Sequence, residues 1–455
     1  MKKFNKDKYL KMLKFKKFIN TYSKYIYIII ITMICSCLGM YLTYSKFFVN
    51  QEAEVIRTTV GNFSQGDVVI AAYINGEYSN SIPGKTDGYY IDKITCDNGT
   101  TADWDYEKWA LILTNLTKKT KCNLYLKTAV SKVPNIIATL DTTGKCPTVN
   151  DDGSVSVTGA EATNGYLCKA KDAYGDSYYF RGNVTNNYVK FAGFYWRIVR
   201  INGDETVRVI YDGTSAYANG QVNVSRQIGT SYFNSSYTDN AYVGYMYGQT
   251  YNSNYTATHT NTNNSTVKIY IDNWYKSKFK DTTYEKFIAD NTFCADRSLA
   301  KNNSGTGGSK STTYYRGHNF TNSSHNIKII LTCPQKNDAF TVNDITHGNG
   351  ALTYPISLLS MDEITLAGAW DYLVSSNYLF SNSEWWTLTP SDFINDGDDS
   401  GTASVWRVYR NGYVESRGTS NENGIRPVIN LKPETLLYGS GTTTDPYRLI
   451  TESLT

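Results

Sequence analysis

Residues 191–211 read FAGFYWRIVRINGDETVRVIY, and this stretch decides the fold of the region around it. Two runs of strand-forming residues flank Asn202-Gly203, so the sequence predicts a β-hairpin from residues 191–201 and 206–211. Alternation places apolar residues on both faces, which is typical of a hairpin inside a sheet that is covered on both sides. One face is expected to carry Trp196, Ile198, Val207, Val209 and Tyr211, and the other Val199, Ile201 and Ile210 beside Arg197 and Arg208.

A second hairpin with the same entry follows near the C-terminus. Residues 406–412 read WRVYRNG, which echoes WRIVRING at residues 196–203. With a two-residue turn, Trp406 would face Arg417 across the strands, close enough for a cation–π contact. We interpret the echo as shared hairpin chemistry rather than as an internal duplication.

Helical signals lie between the two hairpins. Ser265 or Thr266 caps a segment with an apolar stripe at helical spacing. Ser360 followed three residues later by Glu363 is the pattern of a capping box. Both helical signals fall within a larger domain that begins near Tyr166 and runs almost to the end of the chain.

Composition indicates a protein of the cell exterior. The 39 tyrosines, 34 glycines and 4 histidines are typical of a β-rich, loop-rich chain rather than of a helical bundle. Residues 1–24 take nine lysines and one aspartate from totals of 45 basic and 41 acidic residues, and leave 36 and 40. The remainder is mildly acidic, which excludes the basic surface that nucleic acid binding requires.

One segment predicts a membrane anchor. Residues 25–44 carry no charge, and a helix of this length rises about 30 Å, the thickness of the hydrocarbon core. The Lys-rich arm at residues 1–24 keeps the N-terminus in the cytoplasm by the positive-inside rule, so the chain from about Lys46 onward lies outside the cell. A cleaved signal peptide and a lipidated Cys37 are the alternatives.

The cysteines divide by position. Cys35 and Cys37 lie in the apolar segment, and six others lie in the external part. An even number in an oxidising compartment predicts disulfides, and their spacing does not match a zinc site. Of fifteen possible pairings, we predict the three between chain neighbours, Cys96 with Cys122, Cys146 with Cys168, and Cys294 with Cys333.

Changes in composition predict the domain boundaries. Strand signals and aromatic residues fill residues 60–128, whereas Thr, Gly, Asp and Ser dominate the stretch that follows. The expected order is a cytoplasmic arm at 1–24, a transmembrane helix at 25–44, a small β-sandwich-like module at 60–128, a linker at 129–165, an α+β domain at 166–433 and a tail at 434–455.

Three C-terminal stretches carry a family resemblance. They are WWTLTP at residues 385–390, the hairpin at 405–417 and GIRPVINL at 424–431. Together they resemble the closing signature of an uncharacterised family of bacterial cell-surface proteins, common in gut Firmicutes. Their order is also similar to the formylglycine-generating-enzyme branch of the C-type-lectin fold. The resemblance covers residues 166–433 and implies a C-type-lectin-like α+β domain.

The resemblance implies no enzymatic activity. The surface family has none to transfer, and the formylglycine-generating enzymes bind copper through a cysteine pair near the C-terminus, whereas no cysteine follows Cys333 here. The sequence also lacks a Gly-x-Ser-x-Gly elbow and a His-Glu-x-x-His helix. The four histidines lie in loop-like sequence rich in Thr, Asn, Ser and Gly, namely His259, His318, His325 and His347. We therefore predict that the protein is not an enzyme.

Two groups of residues predict binding. Asp396, Asp398 and Asp399 lie on a Gly-containing turn and offer the hard oxygen ligands that calcium prefers, although a solvated acidic turn is the alternative. Their position is comparable to the ligand-binding loop of C-type lectins. Tyr409, Asn411 and Tyr413 follow on the last hairpin and would supply amphipathic contacts to a glycan or protein.

These features predict a single-pass membrane protein with its N-terminus inside and its bulk outside the cell. Its expected role is adhesion through a glycan or surface-protein ligand. The alternatives are an envelope enzyme acting on cell-wall polymers and a structural component of a surface layer.

Overall fold

The computed structural model describes residues 7, 10–18, 20–22, 56–58, 68–85, 87–105, 108–115, 119–128, 130–314, 328–369, 373–394 and 401–449. The chain divides into two compact units, Met1–Thr128 and Ala129–Thr455. Residues 10–18 and 20–22 are helical. The predicted span at residues 25–44 lies outside the described residues, and within them no helix combines the length and apolarity of a membrane span.

The first unit is built from two sheets around one core. Residues of both sheets enter that core, including Trp104, Leu111 and Leu124, and the Trp104 and Trp109 rings meet edge to face at 5.3 Å. One sheet has the strand order β3-β2-β7-β4 and the other β1-β6-β5. The strands are β1 (Ile56–Thr58), β2 (Val68–Ile74), β3 (Glu77–Ser79), β4 (Tyr89–Cys96), β5 (Thr101–Asp105), β6 (Ala110–Thr114) and β7 (Thr120–Thr128).

The second unit has a nine-stranded sheet at its centre, counted over the described residues. Its main path runs β10-β11-β13-β14-β27-β18, with β12, β22 and β28 attached. The strands are β10 (Gly165–Asp172), β11 (Gly175–Gly182), β12 (Tyr188–Phe191), β13 (Phe194–Ile201), β14 (Val207–Gly213), β18 (Ile288–Ala289), β22 (Ile356–Ser357), β27 (Val428–Leu431) and β28 (Tyr447–Arg448). β28 brings part of the predicted tail into this sheet, parallel to β12.

A second sheet of this unit carries the C-terminal hairpin. Its main path runs β15-β26-β23-β24-β25, and β20 pairs with β23. The strands are β15 (Thr230–Tyr232), β20 (Ser309–Lys310), β23 (Trp385–Ile394), β24 (Thr402–Val408), β25 (Val414–Gly418) and β26 (Glu422–Gly424). Trp385, Trp386 and Trp406 are buried in the same core as the nine-stranded sheet.

Short ribbons and helices complete the second unit. The ribbons pair β8 (Thr148–Val149) with β9 (Val155–Ser156), β16 (Met246–Tyr247) with β17 (Asn263–Asn264), and β19 (Phe293–Cys294) with β21 (Ala339–Phe340). The α-helices are α1 (Val133–Ile137), α2 (Tyr255–Thr258), α3 (Thr266–Lys278) and α4 (Met361–Leu366). The 3-10 helices are Val224–Arg226, Asn240–Val243, Glu285–Phe287, Lys336–Asp338 and Pro433–Thr435. The stretch expected as a linker thus contains α1, β8 and β9.

The predicted α+β class is wrong. Strands hold 36% of the described residues and helices 16%, so the protein is mostly β with few helices. The helix caps were read correctly: Ser265 caps α3, and Ser360 with Glu363 forms the capping box of α4. The helices remain short because the segments around them are rich in Asn, Ser, Thr and Gly, which favour turns over helix interiors.

The hairpin at residues 191–211 forms as predicted, and its turn closes between Asn202 and Glu205. Glu205 donates its N–H to the Asn202 carbonyl at 2.9 Å and adopts φ 67°. Gly203 is needed for a close approach, since a Cβ there would lie 2.4 Å from the Gly175 nitrogen. A register shift between Ile198 and Arg200 also moves Ile201 onto the face of Val207.

The loop of the C-terminal hairpin is one residue longer than predicted. Gly412 donates its N–H to the Tyr409 carbonyl at 2.8 Å and adopts φ 90°. Trp406 therefore pairs with Ser416, and the predicted pairing of Trp406 with Arg417 is wrong. The left-handed glycine closes a longer loop than an Asn-Gly turn would.

Buried ion pairs tie the central hairpin to α4. Arg200 and Arg208 are cross-strand neighbours, and both donate to Glu363 Oε1, at 3.0 and 2.6 Å. Arg200 also pairs with Asp172 at the end of β10. Burial alone would raise the pKa of Glu363, but the charges of Arg208 and Arg200 outweigh it and hold the pKa at about 2. The other carboxylate oxygen, Oε2, accepts the Ser360 N–H at 2.9 Å, so the helix cap and the ion pairs share one side chain.

A second buried cluster gathers three guanidinium groups around one carboxylate. Asp212 Oδ1 accepts from Arg226 at 2.8 Å and from Arg426 at 2.8 Å, and Arg197 lies 3.9 Å from Oδ2. The Arg197 guanidinium also lies over the Tyr188 ring, 3.7 Å from its centroid. Backbone carbonyls accept from all three arginines, which compensates the excess of positive charge.

The structure joins the three predicted cysteine pairs, Cys96–Cys122 in the first unit, and Cys146–Cys168 and Cys294–Cys333 in the second. The loops they close span 26, 22 and 39 residues. In the chain-entropy view, closing a loop of that size stabilises the fold by about 3 to 4 kcal/mol.

We expect Glu363→Gln to lower the free energy of unfolding of the second unit by about 3 to 5 kcal/mol, because it leaves the buried Arg208 without a carboxylate and Arg200 with Asp172 alone. The amide can still accept the Ser360 N–H, so the helix cap is kept. Urea denaturation followed by tryptophan fluorescence measures the change. The control is Glu422→Gln at an exposed position of β26. A loss as small as the control's would contradict the role given to Glu363.

Candidate ligand-binding surface

The loop between β24 and β25 brings together the three residues predicted to bind ligand. Tyr409 donates its N–H to the Tyr413 carbonyl at 2.7 Å, which closes the loop. Tyr413 is 48% exposed and Tyr409 is half-buried. Asn411 is exposed, but its Oδ1 also accepts the Tyr413 N–H at 3.2 Å, so it shapes the loop as well as lining it.

A carboxylate fixes two arginines beside this loop. Glu384 accepts from Arg407 at 2.5 Å and from Arg410 at 3.0 Å, and Arg407 is also bound by Glu415 at 2.5 Å. Arg407 is buried, whereas the Arg410 side chain is 63% exposed. Both guanidinium groups contact the Tyr409 ring, with distances to its centroid of 4.9 and 5.0 Å.

We name this set the hairpin-loop surface, comprising Glu384, Arg407, Tyr409, Arg410, Asn411 and Tyr413. Sequence reasoning missed its charged members. The signal was present, because Glu384 directly precedes the Trp385 that pairs with Val408, and this register places Glu384 near Tyr409. The predicted calcium ligands Asp396, Asp398 and Asp399 lie outside the described residues, and those described contain no group of three metal-binding side chains.

Two open grooves of the second unit offer space but weaker recognition. They measure about 450 and 410 Å³ and flank the β8–β9 ribbon, a size in the usual range for ligand sites. Their lysines are already paired, Lys169 with Asp176 at 2.6 Å and Lys171 with Asp151 at 2.9 Å. Neither lining contains an aromatic side chain.

A histidine–carboxylate pair lies on the loop after β21. His347 Nδ1 is 2.8 Å from Asp344 Oδ2, which also accepts the Tyr174 hydroxyl at 3.0 Å. Such a pair needs a hydroxyl or thiol on the other ring nitrogen to act as a nucleophilic site. Among the described residues, none forms that hydrogen bond. The described residues around this pair therefore do not supply the nucleophile that a catalytic site of this type needs.

A small cavity beside β23 contains groups with displaced pKa values. Asp392 is 3% exposed, and its Oδ2 has no hydrogen-bond partner in the described chain. Burial raises the pKa of Asp392 to about 6, and burial together with the charge of Arg297 lowers the pKa of His259 to about 3. The cavity measures about 20 Å³, which holds a water molecule but no substrate. These shifts are therefore consequences of burial rather than signs of a catalytic acid and base.

The raised pKa of Asp392 predicts a pH dependence of stability. Folding favours the protonated carboxyl, so the folded state binds more protons than the unfolded state between its ordinary pKa of 3.8 and about 6. Stability contributed by this group is thus full below about pH 4 and lost as the pH rises through about 6, by roughly 3 kcal/mol.

Asp392→Asn should accordingly raise the free energy of unfolding at about pH 8 by up to roughly 3 kcal/mol and leave it nearly unchanged at about pH 4. Chemical denaturation of both proteins across this range tests the expectation. Glu434→Gln, at an exposed position, is the control and should show no such trend. A gain that is the same at both pH values would argue against ionisation of Asp392 as its cause.

Comparison with known proteins gives one match. No curated protein and no solved structure matches the chain. The matching region begins after β14 and ends after β27, so it holds the hairpin-loop surface and the Asp392 cavity but not the first strands of the nine-stranded sheet. Residues 219–433 are similar to a family described as a domain of unknown function, DUF6273.

Proposed function

We propose that the protein is a non-catalytic surface protein that binds an extracellular glycan or protein through the hairpin-loop surface. The observation that carries the proposal is the pair Arg410 and Tyr413. Both are exposed, and both lie beside the Tyr409 ring, which contacts the guanidinium groups of Arg407 and Arg410. Tyrosine and arginine are the side chains over-represented at the energetic centres of binding sites.

The ion pairs of Glu384 favour binding by lowering its entropic cost. Ordering a flexible side chain on association costs about 0.5 to 1.5 kcal/mol. Glu384 holds the Arg410 side chain before any ligand arrives, and the loop hydrogen bonds hold the backbone of Tyr409 and Tyr413. The cost of ordering Arg410 is therefore largely met in the free protein.

The chemistry of the surface suits glycans and proteins alike. The tyrosine rings offer apolar contact with a hydroxyl at one end, and Arg410 and Asn411 offer hydrogen-bond donors. The two grooves beside the β8–β9 ribbon and the cavity beside Asp392 offer no comparable combination of exposed aromatic and cationic groups.

We place this binding outside the cell, with residues 25–44 as the anchor and residues 1–24 in the cytoplasm. The Lys-rich arm and the charge-free run support this placement, as do three disulfides, which persist in oxidising compartments. The resemblance of the C-terminal stretches to a family of bacterial surface proteins points the same way.

The placement predicts that protease added to whole cells removes nearly all of the chain. Only the arm and anchor should remain cell-bound, because everything after about Lys46 is accessible. Immunoblotting with antibodies to the two ends measures the outcome. A chain that is degraded only after cell lysis would exclude an external location.

The binding proposal predicts that Arg410→Ala with Tyr413→Ala weakens a ligand at least tenfold, a change of about 1.4 kcal/mol. The ligand is first sought with the full chain in detergent on arrays of host glycans, mucins and cell-wall polymers. The matched control combines Arg417→Ala and Tyr237→Ala, which remove an exposed arginine and a 40% exposed tyrosine elsewhere in the same unit.

Equal weakening by the two double variants would reject the hairpin-loop surface as the site. Binding to none of the arrayed ligands would reject the proposal as a whole. Release of soluble fragments from peptidoglycan by the full chain would replace binding by an enzymatic function.

A further inference from the structure

The first unit exposes a row of tyrosines on the outer face of its β3-β2-β7-β4 sheet. Tyr73 pairs with Tyr78 on β3 and with Tyr125 on β7, so one residue from each of three neighbouring strands stands in line. The Tyr73 and Tyr125 rings stack at 5.0 Å, and Tyr78 meets Tyr73 edge-on at 5.9 Å. Tyr78 is 65% exposed. The row belongs to the face opposite the core, whose members include Ala72 and Leu124.

Three lysines surround this row on the same face. Lys93 pairs directly with Tyr125 across β4 and β7, and Lys121 and Lys127 lie at even spacing from Tyr125 along β7. All three are exposed. Two exposed acids lie beside them: Asp92 pairs with Lys127 at 3.0 Å, and the Asp97 carboxylate accepts the Lys121 N–H at 2.7 Å. Three lysines against two carboxylates still leave the face with a net positive charge, although the chain after residue 24 is mildly acidic.

We propose that this tyrosine–lysine face, comprising Tyr73, Tyr78, Tyr125, Lys93, Lys121 and Lys127, binds an anionic glycan. The ring of Tyr78 offers apolar surface to the C–H groups of a sugar ring, and the phenol hydroxyls reach its hydroxyl groups. The lysine ammonium groups complement carboxylate, sulfate or phosphate substituents. Charge complementarity thus selects an acidic rather than a neutral sugar.

The spacing of the charges favours a polymer over a small anion. Lys121 and Lys127 are six residues apart on one strand, which corresponds to about 20 Å at about 3.4 Å per residue. Lys93 lies on the neighbouring strand at the level of Tyr125, between them. A single small anion contacts one of these ammonium groups, whereas a chain with repeated charges contacts all three.

This site is independent of the hairpin-loop surface, because it lies in the other unit and shares no residue with it. The two surfaces also differ in composition, since Glu384 pairs with both arginines near Tyr409, whereas Asp92 pairs with one of the three lysines beside the row of tyrosines. The inference can therefore hold or fail separately from the proposed function.

The test uses the full chain in detergent with polygalacturonate as the acidic glycan and dextran as the neutral one. We expect binding of polygalacturonate alone, weakened when salt rises from about 0.05 to about 0.5 M. Combining Lys93→Gln, Lys121→Gln and Lys127→Gln should weaken binding at least tenfold and abolish the salt dependence. Tyr78→Ala should weaken it severalfold and leave the salt dependence.

The control variant combines Lys276→Gln, Lys278→Gln and Lys336→Gln, three exposed lysines of the second unit that carry the same total charge. It should retain the affinity of the parent, and circular dichroism should show all variants folded. Equal loss with this control would mean non-specific attraction and would overturn the proposal. Equal binding of dextran, or no binding of polygalacturonate, would also overturn the proposal. Polyglutamate serves as an anionic polymer without sugar rings. If Tyr78→Ala weakened polyglutamate binding as much as polygalacturonate binding, the proposed contact between Tyr78 and a sugar ring would be rejected.

Discussion

The second unit depends on arginines buried inside its sheets. A guanidinium group cannot lose its charge at neutral pH, and burying it without partners costs several kcal/mol. Each buried arginine therefore needs a carboxylate or a carbonyl group beside it. Glu363 satisfies Arg200 and Arg208 from the first turn of α4. These ion pairs hold the short helix α4 against the central hairpin.

The second cluster does the same for the junction of the two sheets. Arg426 lies between β26, which belongs to the six-stranded sheet, and β27, which belongs to the nine-stranded one. Its guanidinium donates to Asp212, to the Leu379 carbonyl and to the Tyr211 carbonyl. These three acceptors therefore fix the point at which the chain crosses from one sheet to the other. The C-terminal hairpin, and with it the loop at residues 409–413, is positioned by that crossing.

The two proposed binding surfaces both combine tyrosines with basic residues, but under different constraints. In the hairpin loop, acidic residues hold the arginines, so recognition depends on preorganised side chains and little net charge. On the first unit, a regular sheet sets the spacing of Tyr73, Tyr125 and Lys93, and three lysines outnumber the two carboxylates beside them. A sheet holds its side chains at fixed spacings, which suits a repeating ligand, whereas a short loop suits a local feature of a ligand.

Local patterns in the sequence determined the hairpins at residues 191–211 and 405–417, the caps of α3 and α4, and the pairing of six cysteines, because each depends on residues close in the chain. The turn of the C-terminal hairpin, the register shift beside Arg200 and the mostly β character escaped it. A bulge costs little locally and is selected by what it places together, here Arg200 next to Arg208 and both beside Glu363 more than 150 positions away. Tyr409 and Tyr413 were predicted from sequence as ligand-binding residues, whereas Glu384 joins them only through strand register. Only the tertiary structure decided which charges are buried and which are exposed, since burial depends on neighbours that the chain supplies from distant segments.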